Sequence, residues 1–108
     1  MATGFGDMGS LLKQAQDMQR RVQETKRSLA ERELEGTAGG GAVKVVVTGD
    51  FEVQSIKIDK AAVDPEDVEA LEDLVTVAMR SALQAANKLR ETEMAKVTGG
   101  MNLPGMGF

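Results

Sequence analysis

The chain has no cysteine, no histidine, no tryptophan and no tyrosine among its 108 residues. Without cysteine there are neither disulfides nor thiolate zinc sites. Without histidine the commonest general base and metal ligand is missing, and the lack of cysteine removes the best nucleophile as well. The sequence therefore reads as non-enzymatic, with no cofactor, no metal and no small-molecule substrate expected. Its aromatics are Phe5, Phe51 and Phe108, two of them close to the chain ends. A base-stacking surface needs several aromatics on one sheet, so recognition of single-stranded nucleic acid by stacking is excluded. No apolar run approaches the ~18 residues of a membrane span. The segment Met1 to Asp7 carries neither the basic nor the apolar region of a signal peptide. A cytosolic location is the default, with no membrane partner.

What is present divides into three parts. Residues 1–9 are rich in glycine and methionine and read as a flexible N-terminal segment. Residues 10–97 read as a single domain, and residues 98–108 as a Gly/Met/Pro-rich tail. A core drawn from so few residues is marginal on area grounds, and pairing with a second chain is a common remedy. Charge is distributed unevenly. Between Asp59 and Asp73 seven acids face the single Lys60, so this segment carries −6 of a total of −4 and the remainder sums to about +2.

Residues 10–31 have the spacing of a helix with Ser10 as its N-cap. Leu11, Ala15, Met18, Val22, Thr25 and Leu29 alternate in steps of four and three, a narrow heptad seam suited to packing along another helix. Lys13, Arg20 and Arg27 recur every seven residues on the opposite face. Next comes a weak strand ending at Ala38, a Gly39–Gly41 hairpin, a strong strand over 42–48, a Gly49–Asp50 turn and a third strand over 53–59. Strands of this length span ~20 Å, whereas the helix reaches roughly 30 Å, so the helix must overhang the sheet. A second helix opens at Asp64-Pro65-Glu66-Asp67, with Asp64 in the N-cap position and Pro65 as first helical residue. Its apolar stripe runs from Val68 to Val97 and grows rich in alanine, and Thr98-Gly99-Gly100 ends it. The fold class is α+β: a long helix, a three-stranded antiparallel meander and a second long helix.

Three patterns resolve to ordinary structure. The glycines at 39–41 lead into a valine-rich strand and not into a Gly-Lys-Ser/Thr helix start, so they form a hairpin and not a phosphate loop. The acidic cluster crowds a helix N-terminus, where the helix dipole favours it, and no nucleophile or basic partner accompanies it. Of the methionines, Met18 belongs to the helix seam while Met1, Met8, Met101 and Met106 lie in the terminal segments.

The candidate phosphate-contacting residues are Lys13, Arg20, Arg21, Lys26 and Arg27 on the first helix, with Lys88, Arg90 and Lys96 on the second. Many of them have acids at i±3 or i±4, as on any solvated helix, and Lys26 has none. On pattern alone the plain solvated face is the commoner outcome. Two copies of such a surface would still meet phosphates at several points. The seam of an overhanging helix calls for a second copy, and the candidate dimer contacts are Leu11, Ala15, Met18, Val22, Leu29, Val45 and Val47.

Several segments, in order along nearly the whole chain, resemble the YbaB/EbfC family of bacterial nucleoid-associated proteins. They are Leu11 to Gln19, Gly40 to Val45, Ile56 to Asp59, Leu71-Glu72-Asp73-Leu74-Val75, and Thr98 to Met106. The resemblance implies a tweezer-like homodimer whose long helices project as arms. It also implies binding of double-stranded DNA with little sequence preference, and a role in organising the nucleoid or modulating gene expression. One departure is that Thr76 to Leu83 is more apolar than the Asn-Asp-containing segment usual in that family. The competing reading is a protein–protein interaction module accessory to recombination or replication machinery, motivated by the exposed seam and the sticky tail.

Overall fold

The computed structural model describes residues 3–99, with side-chain surroundings from residue 8 onward. The chain runs α1 (Thr3–Glu31), β1 (Glu33–Ala38), β2 (Val43–Thr48), β3 (Val53–Ile58), a short 3-10 turn (Lys60–Ala62) and α2 (Val68–Thr98). The strands form one antiparallel sheet in the order β1-β2-β3. A helix-sheet-helix arrangement of α+β class is thus present, as the spacing predicted. The molecule is elongated. Its radius of gyration is 20.8 Å and its longest extent 79 Å, where a compact chain of this length would have a radius of ~13 Å.

The core lies between α2 and the inner face of the sheet. Val43, Val45 and Val47 alternate along β2 and are fully buried, and they meet Ala78, Ala82 and Ala86 of α2, also fully buried. Small residues let the helix sit directly on the strands. At Gly36 of β1 the approach is closest: a Cβ there would run into the Ala78 carbonyl and the Ala82 amide. Because Gly39 lies against Leu74 while Gly36 lies against Ala78 and Ala82, α2 runs antiparallel to β1. It then continues past the end of the sheet, beside α1.

α1 enters the sheet without slack. Only Arg32 separates it from β1. The buried Leu29 sits against Gly49 in the β2–β3 turn, where a Cβ would come within 2.7 Å of the Leu29 carbonyl oxygen. The Gly49 amide donates to the Arg32 carbonyl at 2.9 Å. Thr48 organises the same turn: its buried hydroxyl accepts from the amides of Asp50 at 3.2 Å and Glu52 at 3.1 Å. That turn holds Phe51 in the left-handed region, φ +63°. An aromatic residue there is strained, and the strain persists only where the surroundings enforce it.

Two helix starts differ from the sequence expectation. α1 begins at Thr3, so residues 3–9 are helical and Ser10 is an interior helix residue and not its cap. Glycines at 4, 6 and 9 weaken a helix without forbidding it, and Met8 extends the seam of Leu11 and Ala15 by the same spacing. α2 begins at Val68 and is capped by Asp67, whose carboxylate accepts from the Ala70 amide at 3.2 Å. Asp64 instead opens a tight turn, with the Glu66 amide on its carboxylate and the Asp67 amide on its carbonyl, both at 2.9 Å. Asp followed by Pro is the usual opening of such a turn. At the other end Gly99 closes α2 in the left-handed conformation, φ 56°. The remainder of the Gly/Met/Pro-rich tail lies outside the described residues.

Candidate nucleic-acid interface

α1 and α2 continue beyond the sheet as a two-helix arm. The α1 seam faces α2: Met18, Val22 and Thr25 are half-buried and Leu29 is buried, while residues 8–16 are exposed throughout. Asp17 and Met18 are the first half-buried residues of α1 after Met8, and Val97 is the last buried residue of α2. Residues 8–16 of α1 therefore project as an exposed stretch of helix. Met8, Leu11 and Leu12 stand 61–64% exposed on it.

All eight candidate basic residues are exposed. Lys13 lies on the projecting turns, and Arg20 and Arg27 follow it on the side of α1 away from α2. Arg20 pairs with Asp17 at 3.2 Å. Among the described residues Lys13, Arg21, Lys26 and Arg27 make no ion pair, although acids stand at pairing distance in sequence from all but Lys26. On α2 the candidates divide. Lys88 makes no ion pair among the described residues, and Lys96 is engaged with Glu93 at 2.8 Å. That contact, chiefly the hydrogen bond from Lys96, holds the Glu93 carboxyl below its ordinary value, with the nearby Arg32 adding to the effect. Arg90 lies over the Phe51 ring, 5.7 Å from its centroid. A guanidinium so placed belongs to the body of the protein as much as to the arm. Its position was not legible in the sequence, because nothing there announces that Phe51 adopts positive φ.

The acidic cluster occupies the opposite end of the molecule. Asp59 follows β3, and the acids from Asp64 to Asp73 surround the start of α2, near the β1–β2 hairpin. The densest negative charge is thereby kept far from the arm, although Asp17, Glu24, Glu91 and Glu93 stand among the arm's own bases. Among the described residues no three metal-ligating side chains converge, and no helix is long and apolar enough to cross a membrane. The apolar segment Thr76–Leu83 lies over the sheet and not in the arm, with Ala78 and Ala82 in the core.

Of the candidate dimer contacts, Leu29, Val45 and Val47 are enclosed within the protomer's own core and offer nothing to a second chain. Met18 and Val22 are partly covered by α2, whereas Leu11 and Ala15 are open. The open apolar surface lies instead on β3. Val53, Ile56 and Ile58 pair in register with Val47, Val45 and Val43 and so share their face of the sheet. α2 covers β1 and β2 but not β3, leaving these three side chains 40–47% exposed. Phe51 and Leu83 continue the surface into a cleft closed by Arg80, Gln84 and Asn87.

The described residues thus form a two-helix arm on a small α+β body, with the basic candidates exposed along the arm and the densest acidic cluster at the other end. The model of the YbaB/EbfC DNA-binding family matches residues 4–101, and the chain belongs to that family. It is 48% identical over 103 residues to a nucleoid-associated protein of Alkaliphilus metalliredigens, covering 95% of this chain and 90% of that one. It is 49% identical over 102 residues to a nucleoid-associated protein of Moorella thermoacetica, covering 94% and 98%. An uncharacterized protein from Helicobacter pylori has the same fold, with a TM-score of 0.73 at 23% identity over 88% of this chain and 97% of that one.

Proposed function

We propose that the protein is a homodimeric nucleoid-associated protein of the bacterial cytoplasm. It binds double-stranded DNA with little sequence preference through the basic residues of its arms, organising the nucleoid or modulating gene expression. The observation that carries this reading is the uneven charge along a 79 Å molecule: Lys13, Arg21, Lys26 and Arg27 on the arm, without an ion pair among the described residues, and the acidic cluster at the other end. Contacts of this kind go to phosphates, which position a protein without reading bases. The uncovered flank of β3 supports the dimer, because an edge strand with three exposed aliphatics is a surface that soluble proteins normally cover.

Duplex retardation at two salt concentrations, with mass measured in solution, tests both halves. Binding should weaken steeply as salt rises, because it is driven by counterion release. Changing Arg20, Arg21, Lys26 and Arg27 together to Glu should abolish retardation while leaving the mass that of a dimer. Ile56→Asp should yield a folded monomer. Absence of retardation at low salt and micromolar protein would defeat the DNA reading, and a wild-type monomer at that concentration would defeat the dimer.

The exposed tip formed by Met8, Leu11 and Leu12 favours a second reading, in which the arm docks a partner protein of the recombination or replication machinery. A partner retained after nuclease treatment and lost on Leu11→Ser/Leu12→Ser would support it.

A further inference from the structure

We propose that the face of the protein turned away from α2 carries a second phosphate-contacting station, formed by Lys44 and Lys57. It lies on the same side as the basic row of α1. This rests on the DNA-binding reading above and states where the body of the protein meets the same duplex.

Lys44 and Lys57 are partners in register across β2 and β3, and both are exposed. Their strand neighbours Val43, Val45, Ile56 and Ile58 occupy the α2 side, so the two lysines stand together on the other face. Like charges directly opposite on one face repel and weaken the pairing. Neither ammonium has a carboxylate at ion-pair distance among the described residues. A DNA phosphate contacted by each ammonium would offset that repulsion with charge-assisted hydrogen bonds.

The layering of the fold extends the station into a track. Both α1 and the sheet pack against α2, and α1 passes into β1 through Arg32 alone. The side of α1 opposite its seam therefore continues the outer face of the sheet, and that side bears Lys13, Arg20 and Arg27. Acids lie on this face too. Glu33 and Glu35 on β1 separate the two groups of bases, and Asp59 follows Lys57 with its carboxylate capping the Ala61 amide at 3.0 Å. From Arg27 to the lysine pair is about 20 Å, counting one helical turn and five strand residues. Stations that far apart do not suit one small phosphate ligand. They suit a backbone that presents phosphates continuously, as a duplex does.

The test titrates a labelled DNA duplex with the full chain over a series of salt concentrations. Lys44→Gln/Lys57→Gln should make the slope of log affinity against log salt shallower by about 0.9 for each phosphate no longer neutralised, so about 1.8 per protomer. Its Tm should stay at or above the wild-type value, since the cross-strand repulsion is gone. Lys44→Arg/Lys57→Arg should keep the wild-type slope, and Lys57→Gln alone should shift it half as far. A wild type that binds duplex with a slope unchanged in the glutamine pair would overturn this inference and leave the arm as the only DNA-binding surface. A wild type that does not bind duplex at all would instead overturn the DNA reading itself.

Discussion

α1 and α2 are nearly equal in length, 29 and 31 residues, yet they do opposite work. α2 buries Ala78, Ala82, Ala86 and Val97 and holds the sheet. α1 buries Leu29 and leaves residues 8–16 exposed. The contrast follows from side-chain size. An alanine stripe lets a helix approach a sheet closely enough to meet backbone at Gly36, whereas a heptad seam of larger residues suits a helix neighbour and, among the described residues, has none over residues 8–16. One helix makes the body and the other makes the lever.

The largest effect should come from spoiling the close approach. Gly36→Val drives a side chain into the backbone of α2 and should lower unfolding stability by about 3 kcal/mol or more, read by urea denaturation. A normal midpoint in that variant would mean that α2 does not ride on β1. The lever should show its two halves separately. Leu29→Ala should cost about 2–4 kcal/mol as a buried truncation, and Leu11→Ala should stay within about 0.5 kcal/mol. Similar losses at both sites would place α1 wholly in the body. Caps sharpen the contrast further. Asp67→Ala should cost about 1 kcal/mol, while Ser10→Ala should be neutral or slightly stabilising, since alanine is the better interior helix residue.

The smallest effect belongs to Glu93, which pairs with Lys96 within α2 and lies near Arg32. Its carboxyl is held below the ordinary value in the folded protein. Its contribution is therefore present above the unfolded carboxyl's pKa and is lost as pH falls through the lower, folded one. A thermal melt series should show that acid-side loss in the wild type and a smaller one in Glu93→Gln.

The periodic features are open to reading from the sequence. The heptad from Leu11 to Leu29, the valine-rich β2 and the glycine hairpin announce themselves, because apolar spacing and turn chemistry are local. What is not local stays hidden. Val43, Val45 and Val47 alternate much as Val53, Ile56 and Ile58 do, so spacing alone does not say which set α2 covers. Spacing therefore offers Val45 and Val47 to a second chain, whereas the open flank belongs to β3. A register shift between Val46 and Val47 adds a residue to β3 and hides the correspondence further. Asp64 and Asp67 are equally good caps on paper, and only the turn drawn by Pro65 separates them. The basic candidates are all exposed, as their helix positions suggest. Their division into free residues and those engaged by Asp17, Glu93 or Phe51 depends on rotamers and on one left-handed residue.

The junction at Arg32 has a mechanical consequence. A helix joined to its strand by one residue, with Leu29 wedged on Gly49, has no swivel at its root. Load applied near Lys13 would travel down some 25 Å of stiff helix into the β2–β3 turn, which borders the open flank of β3. Whatever bends the arm would thus also tug on the strand where a second copy would sit.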